Sequence, residues 1–331
     1  MRILLIGCGS IGSRHLSILR ELRAGEIIVC DLNEGKLAEL MKRFCIEKGY
    51  TDYREALKNR VDAVFICTPP DSHLLIARHV LEKGFPMFIE KPLSCSLEGV
   101  EEFVKEVEEQ NIIVAVGYMM RFHPAILKMK EILEKNIIGR VYSVSFYGGQ
   151  YLPDWHPGSD YRKEYSAQRK LGGGIILDAT HELDYSIWLF GKPEKVFCHY
   201  EKISNLEIDT EDIFSLIAKT ETGVIVEVHG DYLQRSYQRR CQVLGEKGSI
   251  LWDYNMRATM VYVAEEKKWE VFPFDIDWNS VYRRELEHFL WCVKEKRKPL
   301  VNEKDGLLAL KFVQAAKKSG IEKKMIHFCE L

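Results

Sequence analysis

The sequence predicts an α/β protein, with an N-terminal doubly wound domain followed by a C-terminal α+β domain on a large, mostly antiparallel open sheet. Three observations carry that prediction. Through the first 120 residues, short segments apolar at every position alternate with segments of helical period, and strands buried on both faces between helices form parallel sheets. From about residue 140 the apolar residues alternate singly instead, as in strands with one wet face. The length of 331 residues exceeds the roughly 250–300 at which one core stops growing. We therefore place domains at residues 1–121 and 122–331.

In the first domain, Ile3–Ile6 is an apolar strand, and a glycine turn leads into a helical pattern over Ile11–Leu22. Ile27–Cys30 is the second strand, Lys36–Phe44 a helix and Asp62–Cys67 the third strand. Leu75, Ile76, Val80 and Leu81 give Ser72–Lys83 a helical spacing, Met87–Ile89 is a strand, Leu97–Glu109 a helix and Ile113–Val116 a strand. Right-handed crossovers make such a succession doubly wound. In the second domain, Val141–Tyr151 alternates, a helix lies around 179–190, and strand-like runs follow at Glu194–Ile203, Asp212–Thr220, Val224–Tyr232, Arg239–Gly245, Ser249–Asp253, Thr259–Ala264 and Trp269–Pro273. Gly223, Gly245 and Gly248 punctuate the turns. Two helices, Val281–Glu295 and Lys304–Ser319, close the chain. One face of so large a sheet needs a cover, and a homodimer or homotetramer through that sheet supplies it.

A formal net charge of −2, with 46% hydrophobic and 29% charged residues, gives no footprint for nucleic acid or an anionic membrane. No run approaches the 18 apolar residues of a membrane span, and Ile3-Leu4-Leu5-Ile6 stops at Gly7, short of a signal core. The nine cysteines form no Cys-x-x-Cys pair and several sit in strand-like runs, which reads as buried thiols in a reducing, cytoplasmic setting. No metal site is expected, because zinc-ligand spacing is absent.

Gly7, Gly9, Ser10, Ile11 and Gly12 form a Gly-x-Gly-x-x-Gly turn that follows a strand and opens a helix, with Asp31 nineteen positions beyond Gly12. That context makes the glycine motif a dinucleotide fingerprint and the domain a Rossmann fold. Gly7 makes the tight turn, Gly9 admits the pyrophosphate and Gly12 packs helix on strand. The helix N-terminus favours the phosphates. Asp31 ends the second strand, where a carboxylate accepts from ribose hydroxyls and repels a 2′-phosphate, favouring NAD over NADP. Thr68, Pro69 and Pro70 lie at the carboxyl end of the third strand, beside the ligand crevice of such sheets. His73, in the helix that follows, is either a packing residue or a cofactor contact.

Glu90-Lys91-Pro92 stands at the carboxyl end of the strand Met87–Ile89. About eighty residues later come Gly172-Gly173-Gly174, then Asp178, His181 and Asp184 on a predicted helix. Oxidising a secondary alcohol needs a base for the hydroxyl proton, and histidine titrates near neutrality. A neighbouring carboxylate orients the ring, and the Lys91 ammonium stabilises the developing alkoxide. Before the triple glycine runs a long connection from Tyr151 to Arg162, in which Trp155 and Tyr161 have faces for a sugar and Arg162 a charge for an anion, unless they serve loop packing.

These motifs, with Gly117-Tyr118 and Arg121-Phe122-His123-Pro124, resemble the glucose–fructose oxidoreductase / inositol dehydrogenase (Gfo/Idh/MocA) family along essentially the whole chain. The resemblance implies an NAD-dependent oxidoreductase that moves hydride to or from a secondary hydroxyl of a sugar, cyclitol or nucleotide sugar. It implies Lys91, Asp178 and His181 as the catalytic group. Glu90, Lys91, Arg121 and His73 fall on the cofactor side. Lys91, Tyr118, Arg121, Trp155, Tyr161, Arg162, Asp178, His181 and Asp184 fall on the substrate side. His181 follows Asp178 by three residues where the family more often has four, and on one helix either spacing keeps a common face. Two other functions stay open, an NAD-dependent glycoside lyase that oxidises its sugar transiently and a non-enzymatic NAD sensor.

Overall fold

The computed structural model describes residues 1–330. Its contacts divide the chain into one unit of Met1–Met119 with Asp277–Leu307 and a second of Met120–Ile276 with Leu308–Leu331.

The first unit is a six-stranded, all-parallel sheet. In chain order its elements are β1 (Arg2–Ile6), α1 (Ser10–Glu21), β2 (Glu26–Cys30), α2 (Glu34–Phe44), β3 (Gly49–Tyr50), α3 (Tyr53–Ala56), β4 (Ala63–Ile66), α4 (Pro70–Glu82), β5 (Met87–Ile89), α5 (Val100–Gln110) and β6 (Val114–Val116). The strand order is β3-β2-β1-β4-β5-β6, so the winding reverses between β1 and β4. Continuous apolar runs become strands buried on both faces, as at Ala63–Ile66, where every residue is buried. Phe65 and Phe88 stack at 5.3 Å between ring centroids, and Phe289 meets both rings edge-on. Phe289 and Leu286 belong to a later helix, Trp278–Glu295, that returns to this core, a return that a division at residue 121 leaves out. β3 and α3, of two and four residues, are too short to show a period and went unread in the sequence.

The second unit continues with α6 (Pro124–Glu134), β7 (Val141–Gly149), α7 (Ile175–Asp178), α8 (Thr180–Phe190), β8 (Pro193–Glu201), β9 (Ile213–Thr220), β10 (Ile225–Asp231), β11 (Gln238–Gly245), β12 (Gly248–Asp253), β13 (Ala258–Val263) and β14 (Lys268–Pro273). The returning helix Trp278–Glu295 is α9, and α10 (Glu303–Glu322) and β15 (Ile326–His327) follow. Nine strands form one sheet in the order β14-β13-β12-β11-β7-β10-β9-β8-β15, antiparallel throughout except where β7 and β10 run parallel. Burial alternates along β8, β9 and β10, so one face is covered. The other face exposes Phe197, Ile217, Ile225 and Leu244. No helix among the described residues is long and apolar enough to cross a membrane.

Candidate functional site

In the first unit, the glycine turn is dictated by contacts that no side chain tolerates. Gly7 has φ +103°, and a Cβ there would lie 2.5 Å from the Cys67 carbonyl oxygen; one on Gly12 would lie 1.9 Å from the Gly7 oxygen. A Cβ on Gly9 would meet no atom within 4 Å, so that glycine leaves space in front of α1, whose N-terminus no side chain caps. Asp31 follows β2. Its Oδ2 accepts from the Cys8 N–H at 2.6 Å and its Oδ1 from the Asn33 N–H at 2.8 Å, which locks the carboxylate to the turn. Burial, then the Asp31 charge, pushes the Cys8 thiol up to about 12, so it stays protonated beside the turn.

The loops after β4 and β5 are tied by one imidazole. His73 is wholly buried, with Nδ1 2.8 Å from the Pro92 carbonyl and Nε2 2.7 Å from the Thr68 carbonyl. Burial holds its pKa below the ordinary histidine value, and the two carbonyls oppose that fall without reversing it. A neutral ring donates to one of these oxygens at a time. His73 is thus a brace between Thr68-Pro69-Pro70 and the Glu90-Lys91-Pro92 segment, whose Lys91–Pro92 bond is cis. Beneath Lys91, the Glu90 Oε1 lies 2.5 Å from Nε2 of buried His15, while its Oε2 accepts from the Lys91 N–H at 3.1 Å. Gly117 makes room for this carboxylate, since a Cβ there would lie 3.0 Å from Oε2. Lys91 itself is half-buried at the carboxyl end of the sheet, and Tyr118 is buried entirely.

The second unit corrects the expectation of one helix carrying Asp178, His181 and Asp184. α7 ends at Asp178, Ala179 leaves helical geometry (φ −83°, ψ 19°), and α8 begins at Thr180. At the break the Thr180 hydroxyl donates to the Leu177 carbonyl at 3.1 Å, an acceptor the continuing ladder would use, and Glu182 N–H closes a tighter turn on the Ala179 carbonyl. The triple glycine sets this corner. A Cβ on Gly173 would lie 2.2 Å from the Tyr165 carbonyl oxygen, and one on Gly174, at φ +114°, would lie 2.4 Å from Oε1 of Glu211. The close backbone approach that these glycines permit is made to the chain's own loop and to Glu211. That glutamate, its carboxyl pushed up by burial with Lys317 opposing, accepts from the Ile175 N–H through its backbone carbonyl at 3.3 Å.

Asp178 emerges from this corner with the Tyr165 hydroxyl on Oδ1 at 2.5 Å and the Tyr232 hydroxyl on Oδ2 at 2.6 Å. Neither tyrosine was singled out in the sequence; they lie 13 and 54 residues away, and only the fold brings them together. His181 is 8% exposed at the start of α8. Arg121 and Asp184 face each other in a buried bidentate pair, with Nε–Oδ2 at 2.9 Å and Nη2–Oδ1 at 2.6 Å, and are 3% and 1% exposed. Trp155 donates through Nε1 to the Gln150 carbonyl and meets the Tyr232 ring edge-on. Tyr161 accepts from the Glu207 N–H, and Arg162 pairs with Asp160 and Glu207, so both brace their loop against Glu207.

Residues 1–118 match the oxidoreductase family with an NAD-binding Rossmann fold, and residues 126–251 match the GFO/IDH/MocA C-terminal domain. The chain is 30% identical to the myo-inositol 2-dehydrogenase of Thermotoga maritima over 347 residues, covering 100% of this chain and 99% of that one. The chain belongs to the GFO/IDH/MocA oxidoreductase family. This family member is also 27% identical to the scyllo-inositol 2-dehydrogenase (NAD(+)) of Bacillus subtilis, covering 96% of this chain and 94% of the relative. Among solved structures, levoglucosan dehydrogenase in complex with NADH and levoglucosan superposes with a TM-score of 0.90 at 20% identity, covering 99% of both chains; that likeness speaks for the fold.

The GFO/IDH/MocA oxidoreductase uses NAD, and its residues fit the cofactor. The uncapped helix end and the open space at Gly9 suit a pyrophosphate. Each Asp31 oxygen, holding one backbone N–H, keeps acceptor capacity for a ribose hydroxyl. Asp31→Ala is expected to raise the NAD dissociation constant about tenfold, the order of one hydrogen bond to a charged group, and to change NADP binding less. Titration of cofactor fluorescence checks it; equal losses for both cofactors would remove the proposed ribose contact.

Proposed function

We propose that this oxidoreductase transfers a hydride between NAD and a secondary hydroxyl or ketone of a cyclitol, sugar or nucleotide sugar, with Lys91, Asp178 and His181 as its acid–base group. The observation that carries the reading is the fixed Asp178 carboxylate three residues before His181, in a chain whose Lys91 follows a strand at the ligand-binding edge of a parallel sheet. Full-length similarity to two inositol 2-dehydrogenases supports the cyclitol within that class.

Bound NAD supplies the acceptor for the hydride that leaves the carbinol carbon. The His181 imidazole takes the hydroxyl proton as the carbon–oxygen bond becomes a carbonyl. Lys91 donates a charged hydrogen bond to that oxygen, and its ammonium offsets the negative charge that builds there before the proton is gone. Asp178, held on both oxygens, supplies a fixed negative charge that favours the imidazolium once His181 is protonated. In the reverse direction the same imidazolium returns the proton to the alkoxide.

The deciding experiment incubates the purified protein with NAD and a panel of cyclitols, free sugars and nucleotide sugars while NADH absorbance is followed. Accumulation of NADH with at least one of them is expected. A panel that yields none, with NAD binding intact, overturns the reading.

The reading includes a cytoplasmic setting, where six buried thiols stay reduced, and a second copy of the chain on the open sheet face. That face combines Phe197 and Ile217 with Glu227 and Arg240, charges of both signs on one patch, the composition a self-complementary two-fold contact requires. Ile217→Asp is expected to lower the mass measured by light scattering to that of a smaller assembly. An unchanged mass, or a monomeric wild type, would remove this interface.

A further inference from the structure

Asp178 is unusual among the carboxylates of the second unit in having a phenol on each oxygen, one from the sheet and one from the loop. Tyr232, immediately after β10, is wholly buried; burial first, and then the Asp178 charge, hold its hydroxyl well above the ordinary tyrosine pKa, so it remains a donor. Its ring is seated by the edge-on contact with Trp155 at 5.3 Å. Tyr165 reaches Asp178 from the loop before the triple glycine and is half-buried. The Cα of Asp178 is anchored separately. Gly174 and Glu211 fix the start of α7, a helix of four residues, so the side chain has little backbone freedom left.

We propose that Tyr165 and Tyr232 are positioning residues that act through Asp178, a role that rests on the function proposed above. Two charge-assisted hydrogen bonds from opposite sides stop the carboxylate from rotating and leave it one orientation toward the residue that carries the proton. Loss of either donor frees a rotation that costs catalysis while leaving NAD binding, a property of the first unit, in place.

A double-mutant cycle on kcat, with Asp178→Asn as the second change, tests this. Tyr165→Phe and Tyr232→Phe are each expected to lower kcat about tenfold, the size of one hydrogen bond to a charged group, with the NAD dissociation constant unchanged. In the Asp178→Asn background, either Tyr→Phe change is expected to alter kcat less than about twofold, because residues that act as a unit are not additive. A full tenfold loss in that background means the tyrosine works on substrate directly or through packing, and overturns the inference. Should Tyr232→Phe fail to fold, the half-buried Tyr165→Phe carries the cycle alone. A wild type that oxidises nothing on the panel removes the function and this inference together; an active wild type with additive losses removes only the inference.

Discussion

Lys91→Met is expected to cut kcat by about a hundred- to a thousandfold, the range seen when one donor to a developing oxyanion is removed, while NAD binds almost as before. Methionine keeps much of the apolar stem and removes the ammonium, so the loss reports charge rather than shape. The surroundings argue that the backbone will hold its place. The Lys91 N–H is fixed by Glu90, which is fixed in turn by buried His15, and the following Pro92 carbonyl is held by His73. None of these contacts uses the lysine side chain. Steady-state rates on the best panel substrate, set beside the NAD dissociation constant, give the result. Unchanged kcat would leave Lys91 a surface cation and take the electrostatic term out of the mechanism.

His181→Ala is the second large effect, with kcat expected to fall by about a hundred- to ten-thousandfold, as for loss of a general base. The side chain is 8% exposed, and its removal leaves a ring-sized space that a small added base can enter. Added imidazole should restore part of the rate in a concentration-dependent way, which a merely misfolded variant would not show. A variant that keeps most of its activity without imidazole would move the base elsewhere, and Asp178 would be the first residue to test.

How much of this was legible beforehand depended on whether the cause was local. Strands such as Ala63–Ile66 announce themselves because burial on both faces leaves no polar position to confuse the pattern. The seven runs from Glu194 to Pro273 match β8–β14 within a residue or two at most ends, because a half-covered sheet imposes single alternation on the sequence. α6 went unread although its signs were present: His123 caps it, Pro124 opens it, and Ala125, Ile126, Met129 and Ile132 make its buried stripe. The break at Ala179 was out of reach. Asp178-x-x-His181 has ordinary helical spacing, and the interruption comes from a threonine hydroxyl and from Glu211, which lies 33 residues beyond Asp178 yet packs under the same corner. The same limit applies to the candidate site. Glu90 was named from its neighbour Lys91, but its partner His15 is 75 residues away. Arg121 and Asp184, both read as ligand contacts, pair with each other across 63 residues, a partnership the sequence does not show.

The return of α9 to the first unit has a bearing on how this protein is made. Leu286 and Phe289 complete an aromatic cluster whose other rings, Phe65 and Phe88, leave the ribosome some two hundred residues earlier. At ordinary synthesis speeds of about 5–20 residues per second, the nascent nucleotide-binding half waits many seconds with that cluster unfinished. Chaperone occupancy during translation should therefore persist until the last helices appear, and the NAD-binding half should become protease-resistant only near chain completion.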